Sequence, residues 1–126
     1  MATAGYQHLL CAGLRASPFK CAYVTAKHGL EGLSKALEGG AKGVTSNCIN
    51  PAYVRTPLME KQIAAQAQTR GISEADVIDT VLLADSAIKR LIESAEVAEL
   101  AVYLCSSEAS FINGTSLCID GGWTAD

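Results

Sequence analysis

The chain has 126 residues, which fits one domain rather than two. Hydrophobic residues make up 49%, so composition allows a packed core, while a charged fraction of 18% and a net charge of −3 give no electrostatic case for nucleic-acid binding. No apolar run approaches the roughly 20 residues of a membrane helix, and residues 1–12 hold neither a basic n-region nor a long apolar stretch, so neither a membrane span nor a secretory leader is expected and the expected compartment is the cytoplasm.

Residues 6–11 allow a short apolar strand, but Gly5, His8 and Cys11-Ala12-Gly13 give it no clear period. Ser17-Pro18 is a break, because proline disfavours helix at the residue before it. Residues 20–38 turn helical: Ala22, Ala26, Leu30, Leu33 and Leu37 recur at spacings of three and four. Gly39-Gly40 and Gly43 supply the stop. Residues 44–50 are β-prone and close on Pro51, predicting a buried strand. A small helix is expected over residues 60–67. Ser73, with Asp76 three residues on, caps a helix from Glu74 to about Leu83. Ser94 starts another, with Ala95, Val97, Ala98, Leu100, Ala101, Val102 and Leu104 filling a broad apolar face. Asn113-Gly114 marks a turn in the loop 110–115, residues 116–119 form a second strand, and Asp120-Gly121-Gly122 ends it.

Strands joined by helical segments read as a parallel crossover. Parallel sheets need both faces covered and are rarely two strands wide, so the chain reads as α/β, a partial Rossmann-like, doubly wound parallel sheet. The five cysteines are odd in number and lack CxxC spacing, so neither zinc site nor disulfide framework is expected; buried thiols in a reducing compartment are.

Three local patterns carry candidate chemistry. Tyr23 and Lys27 stand at i and i+4 on a helix, where side chains share a face. A nearby ammonium favours a phenolate and lowers the phenol's pKa, which suits proton exchange with an alcohol or carbonyl. Alone the pair reads first as a partly exposed tyrosine beside a solvated lysine. Asn50-Pro51-Ala52-Tyr53-Val54-Arg55-Thr56-Pro57 comes directly after a strand, and ligands of open α/β sheets bind outside the strands' carboxyl ends. Such a turn offers backbone N–H groups and a Thr hydroxyl to a carboxamide or phosphate; otherwise it is an ordinary strand-to-helix turn. Asp120-Gly121-Gly122-Trp123 is by itself a glycine turn.

Together, Y-x-x-x-K, N-P-x-x-V-x-T-P and a terminal D-G-G resemble the short-chain dehydrogenase/reductase family, from about Gly13 to Trp123. Residues 16–20, 22–29, 56–63 and 121–124 resemble the bacterial 3-hydroxybutyrate dehydrogenases in particular. The resemblance implies that residues 13–126 are the carboxy-terminal half of that domain, with residues 1–12 an atypical segment. It implies NAD-dependent interconversion of 3-hydroxybutyrate and acetoacetate, with NADP not excluded as cofactor. Tyr23 would be the catalytic acid/base, and Lys27 would bind the nicotinamide ribose and lower the Tyr23 pKa. Pro51, Ala52, Val54 and Thr56 would line the nicotinamide end. Lys20 and Gln62 would face a substrate carboxylate, for which a cation and an amide are suited; Lys20 as a plain surface lysine stays open.

The sequence also departs from the family pattern. It holds no T-G-x-x-x-G-x-G turn for a pyrophosphate and no N-N-A-G segment. Leu10 stands at the family's serine position and Ala12 where the hydroxybutyrate enzymes favour histidine, so one substrate hydrogen bond is lost. The expectation is therefore an impaired or inactive chain. Two residues fewer than usual come after Lys35; such a deletion rotates the rest of the helix by about 200°, so distortion is expected over residues 36–42. The competing reading is an interaction fragment that docks on full-length dehydrogenase subunits, as homo- or hetero-oligomer, through residues 95–104 and 116–119, with an open sheet edge that favours association. A truncated product without a role is the third reading.

Overall fold

The computed structural model describes residues 5–8, 14, 20–40 and 43–125, with backbone only for 5–8 and 38–40. Leu10, Cys11, Ala12, residues 16–19 and residues 41–42 lie outside them. The described chain runs β1 (Gly5–His8), α1 (Cys21–Gly40), β2 (Ser46–Pro51), α2 (Pro57–Arg70), α3 (Glu74–Asp76), a π-helical segment (Val77–Leu82), α4 (Ser94–Leu104), a 3₁₀ turn (Ser107–Ala109) and β3 (Ser116–Ile119). The sheet has the order β1-β2-β3 and both pairings are parallel. The α/β class is therefore as the sequence predicts. Within residues 1–12, where the sequence allows a short strand over 6–11, a strand runs over Gly5–His8 and pairs with Ser46 to Ile49.

Side chains alternate across a strand, so β2 and β3 have two chemically different faces. Ile49, Leu117 and Ile119 meet Val97, Leu100, Ala101 and Leu104 of α4, with Ala109 and Ile112, in one apolar cluster. The opposite face carries Ser46, Asn50 and Ser116, and α1 packs there. This alternation sets the orientation of α1. Of its apolar residues spaced at three and four, Ala22, Ala26, Leu33 and Leu37 are exposed, Leu33 by 48% and Leu37 by 49%, while Glu31 and Ser34 are buried. Ser34 Oγ and Ser46 Oγ lie 2.9 Å apart, and Glu31 accepts from Asn50 Nδ2 at 2.9 Å. A polar sheet face selects a polar helix face, because a buried polar group is costly unless hydrogen-bonded. The distortion expected over 36–42 is absent from the described helix, which is continuous to Gly40. The cysteines also differ from expectation: Cys48 is buried, but Cys21, Cys105 and Cys118 are exposed.

A second apolar cluster lies in the crossover between β2 and β3. Ile63 of α2 packs with Val77, Leu82, Leu83 and Leu91, and Tyr53, Met59 and Ile78 flank them. Helix α2 is longer at both ends than the predicted 60–67. Thr56 Oγ1 accepts from Met59 N–H, Pro57 occupies the first turn and Gly71 closes the helix at φ 66°. The Ser73–Asp76 capping box forms as predicted, but the helix becomes π-helical from Val77.

The loop before β3 is clasped to β2 by amide side chains. Asn47, 2% exposed, donates Nδ2 to Ile112 O at 2.9 Å and accepts Thr115 N–H at 3.2 Å, while Asn113 Oδ1 accepts Ser46 N–H at 2.8 Å. Asn47→Ala strips both partners, and unsatisfied buried groups cost about 1–3 kcal/mol each. Urea unfolding is expected to show a lower midpoint with an unchanged slope; an unmoved midpoint would mean that water replaces the amide without cost.

Candidate active site

Parallel strands place the carboxyl ends of β1, β2 and β3 on one edge of the sheet. The start of α1 and the β2–α2 loop lie at that edge, where ligands of such sheets bind. Tyr23 and Lys27 occupy successive turns of α1, and the Lys27 ammonium sits over the Tyr23 ring, 5.4 Å from its centroid. Tyr23 is 37% exposed. Burial of the rest pushes its phenol above the ordinary value, so the lowering expected from Lys27 does not prevail. At neutral pH Tyr23 is therefore a proton donor.

Residues 51–56 are fixed by backbone bonds. Pro51 is buried, and Ala52 N–H reaches Ile119 O at 3.1 Å. Val54 forms a parallel bridge with Ile92: Ile92 N–H bonds Tyr53 O at 3.0 Å, and Arg55 N–H bonds Ile92 O at 2.8 Å. In such a bridge the intervening residue's own N–H and C=O point the other way. Val54 thus turns one donor and one acceptor away from Ile92, a pair that matches a carboxamide. Thr56 Oγ1 accepts the cap bond at 3.2 Å, and a hydroxyl retains its own hydrogen to donate. Lys20 is exposed just ahead of α1, and its carbonyl accepts Val24 N–H. Gln62 is exposed in α2. The structure thus brings Tyr23 to Lys27 and fixes the loop 51–56, whereas Lys20 and Gln62 stand on separate elements.

A cleft of 120 Å³ lies beside the loop, lined in part by Ala52, Tyr53, Arg90, Glu96 and Asp120, and includes neither Tyr23 nor Lys27. Arg90 grips Glu96 with two bonds of 2.7 Å, which hold that carboxylate at about 2. Sequence reasoning missed this exposed fork; the six-residue separation matches no helical spacing.

The terminal D-G-G locks the neighbouring segment. Gly121 (φ 65°) and Gly122 (φ 89°) are left-handed, and an added Cβ would stand 3.2 Å from Ile88 Cβ and 3.3 Å from Ala87 Cβ, respectively. Gly121 O accepts Ala87 N–H and Ile88 N–H at 2.9 and 3.1 Å. Burial pushes the Asp120 carboxyl up, but bonds from the Thr124 hydroxyl and from Gly122 and Thr124 N–H outweigh it and hold it below the ordinary carboxylate value. A depressed folded pKa stabilises above the unfolded value, about 4, and that stability is lost as pH falls through the folded one. Asp120→Asn should therefore be less stable than the parent at pH 7 in urea unfolding, and the gap should close in acid. A gap independent of pH would contradict this.

A family model described as enoyl-(acyl carrier protein) reductase matches residues 9–124, starting slightly ahead of Gly13. The chain is 56% identical over 115 residues to the D-beta-hydroxybutyrate dehydrogenase of Rhizobium meliloti (strain 1021), covering 90% of this chain and 45% of that protein. It spans about half the length of the curated relatives it matches. The crystal structure of a short chain dehydrogenase family protein from Francisella tularensis superposes with a TM-score of 0.88 at 27% identity, covering 98% of this chain and 51% of that one. A 4-hydroxyisoleucine dehydrogenase complexed with NADH gives 0.80 at 31% identity, over 98% and 47% of the two chains. An actinorhodin polyketide ketoreductase with NADPH gives 0.83 at 25%, over 97% and 47%.

Proposed function

Because the chain belongs to the short-chain dehydrogenase/reductase family, we propose that it carries the proton-transfer and nicotinamide-side half of an NAD-dependent oxidoreductase of a short 3-hydroxy acid, of the 3-hydroxybutyrate dehydrogenase type. The observation that carries this reading is the Tyr23–Lys27 pair at the same sheet edge as the fixed loop 51–56. Residues 13–126 are read as the carboxy-terminal half of the family's domain.

The outward N–H and C=O of Val54 suit a carboxamide, with Pro51 and Ala52 as the wall beside it and the Thr56 hydroxyl as a further donor. Lys27 would hold the ribose hydroxyls. When bound, the nicotinamide supplies the hydride acceptor. Tyr23 oxygen takes the hydroxyl proton in oxidation and returns it to the carbonyl in reduction. Lys20 and Gln62 would hold the substrate carboxylate. NAD is preferred over NADP on the similarity to the complex with NADH, although another similar structure holds NADPH. Leu10, at the family's serine position, supports a slow reaction. Among the described residues no helix is long and apolar enough to cross a membrane, and the cytoplasm is proposed. The exposed Ala26, Leu33 and Leu37 support assembly through α1 with dehydrogenase subunits.

A calorimetric melt of the full chain with and without NADH tests the cofactor half of the reading. A transition moved upward by NADH, by about 2.7 kcal/mol at a hundredfold excess over Kd, is expected. A cooperative transition that NADH leaves in place would overturn it.

A further inference from the structure

We infer that Glu31 is a positioning residue for Tyr23 and Lys27: its buried carboxylate clamps the face of α1 that bears them to the carboxyl end of β2 and the first residue of β3. The inference rests on the function proposed above. Residues 23, 27 and 31 stand four apart, so they form one stripe along α1. At the far end of that stripe Glu31 is only 7% exposed. Its carboxylate accepts Asn50 Nδ2 at 2.9 Å and, through the other oxygen, the Ser116 hydroxyl. Asn50 is the residue directly before Pro51, where the nicotinamide-side loop begins. One carboxylate therefore joins the helix that carries the proton-transfer pair, the strand that leads into the loop, and the next strand of the sheet.

The packing of α1 makes this clamp decisive. Apolar contact is non-directional, and a helix held by leucines can roll on its sheet at little cost. Here Leu33 and Leu37 are exposed, and among the described residues of α1 the buried side chains are Glu31 and Ser34, both bonded to β2. Hydrogen bonds weaken steeply as they misalign, so Glu31–Asn50, Glu31–Ser116 and Ser34–Ser46 set the rotation of α1. Tyr23 lies eight residues away, about 12 Å along the axis, so a small roll or tilt at Glu31 shifts the phenol relative to residues 51–56. A misplacement of that kind is enough to slow a positioned reaction severely.

The test labels the full chain with 3-fluorotyrosine and assigns the Tyr23 fluorine resonance by its loss in Tyr23→Phe. Glu31→Ala should shift that resonance, leave those of Tyr53 and Tyr103 in place, and weaken NADH binding roughly tenfold, the worth of one to two hydrogen bonds. Glu31→Gln keeps an acceptor for Asn50 and gains a donor towards Ser116, and it should restore both readings. Val77→Ala opens the separate α2 cluster and lowers stability without touching α1, so it should leave the Tyr23 resonance alone. If Glu31→Ala does not fold, Ser116→Ala removes a single partner and must move the resonance in the same way. A Tyr23 resonance unmoved by loss of the clamp, or moved equally by Val77→Ala, would overturn the inference. If the parent chain fails to bind NADH, the functional reading falls, while the fluorine shifts still decide whether Glu31 positions Tyr23.

Discussion

Replacing Tyr23 with phenylalanine is expected to lower the rate of NADH formation from 3-hydroxybutyrate by about 100-fold or more, the ordinary worth of a positioned acid/base. The substitution removes one oxygen and little else. The ring stays, and the Lys27 ammonium can still rest on its face. No cavity opens at a side chain that is already 37% exposed, so stability should change by less than about 0.5 kcal/mol. The loss therefore reads as chemistry rather than as folding. The pH dependence adds a second signature. Burial raises the Tyr23 pKa, so the phenol is protonated at neutrality and must lose its proton before it can accept one from an alcohol. Oxidation by the parent chain should accordingly climb with pH through the alkaline range, whereas carbonyl reduction, which uses the protonated form, should stay nearly level until the pH reaches the raised pKa. In Tyr23→Phe the climb of the oxidation rate should flatten. Initial rates in both directions from pH 7 to pH 10 decide it, and a parent-like profile in the variant would remove Tyr23 from the reaction.

What could be read from the sequence divides by the kind of signal. The Ser73 capping box, the α4 start at Ser94 and β3 were legible because each is written in adjacent residues. The start of α2 is equally local: the turn through Thr56-Pro57 reads as a binding turn or as an ordinary strand-to-helix turn, and it supplies the cap and first turn of the helix. The π-helical segment has no comparable signature, since an apolar face spaced at three and four serves either winding. The orientation of α1 is not legible for a non-local reason. Its leucines have the spacing of a core face, but the sheet beneath it presents Ser46, Asn50 and Ser116. That polar alternation stood in the strand sequences, but which face α1 would cover did not. The Tyr23–Lys27 pair and the loop 51–56 were legible as motifs. Glu31 was not, because an acidic residue on an exposed helix looks the same in sequence as one turned inward.

Leu91→Ala should cost about 2–5 kcal/mol, the range for a leucine truncated in a packed core, and the loss should not spread evenly. Leu91 is 1% exposed and lies among Ile63, Val77, Leu82 and Leu83, with Tyr53 against the cluster. None of these residues belongs to β2 or β3, whose apolar face packs separately with Val97 and Leu104. The crossover therefore has a small core of its own, and truncating Leu91 weakens the packing that holds the π-helical segment to α2. Other tethers of this segment remain: Lys89 Nζ donates to Leu83 O and Ala84 O, and Gly121 O holds Ala87 and Ile88. Those bonds hold the chain beyond its carboxyl end and leave its middle to the apolar packing. Hydrogen exchange should accordingly rise most over residues 77–83, while Cys48 to Asn50 keep their protection. The consequence reaches the site through Ile92, which is next in the chain and whose bonds to Tyr53 O and Arg55 N–H set the turn at Val54. A loosened Leu91 slackens that bridge, so Leu91→Ala should weaken NADH binding although it touches no proposed contact. Uniform loss of protection across both clusters would show instead that the two cores unfold as one unit.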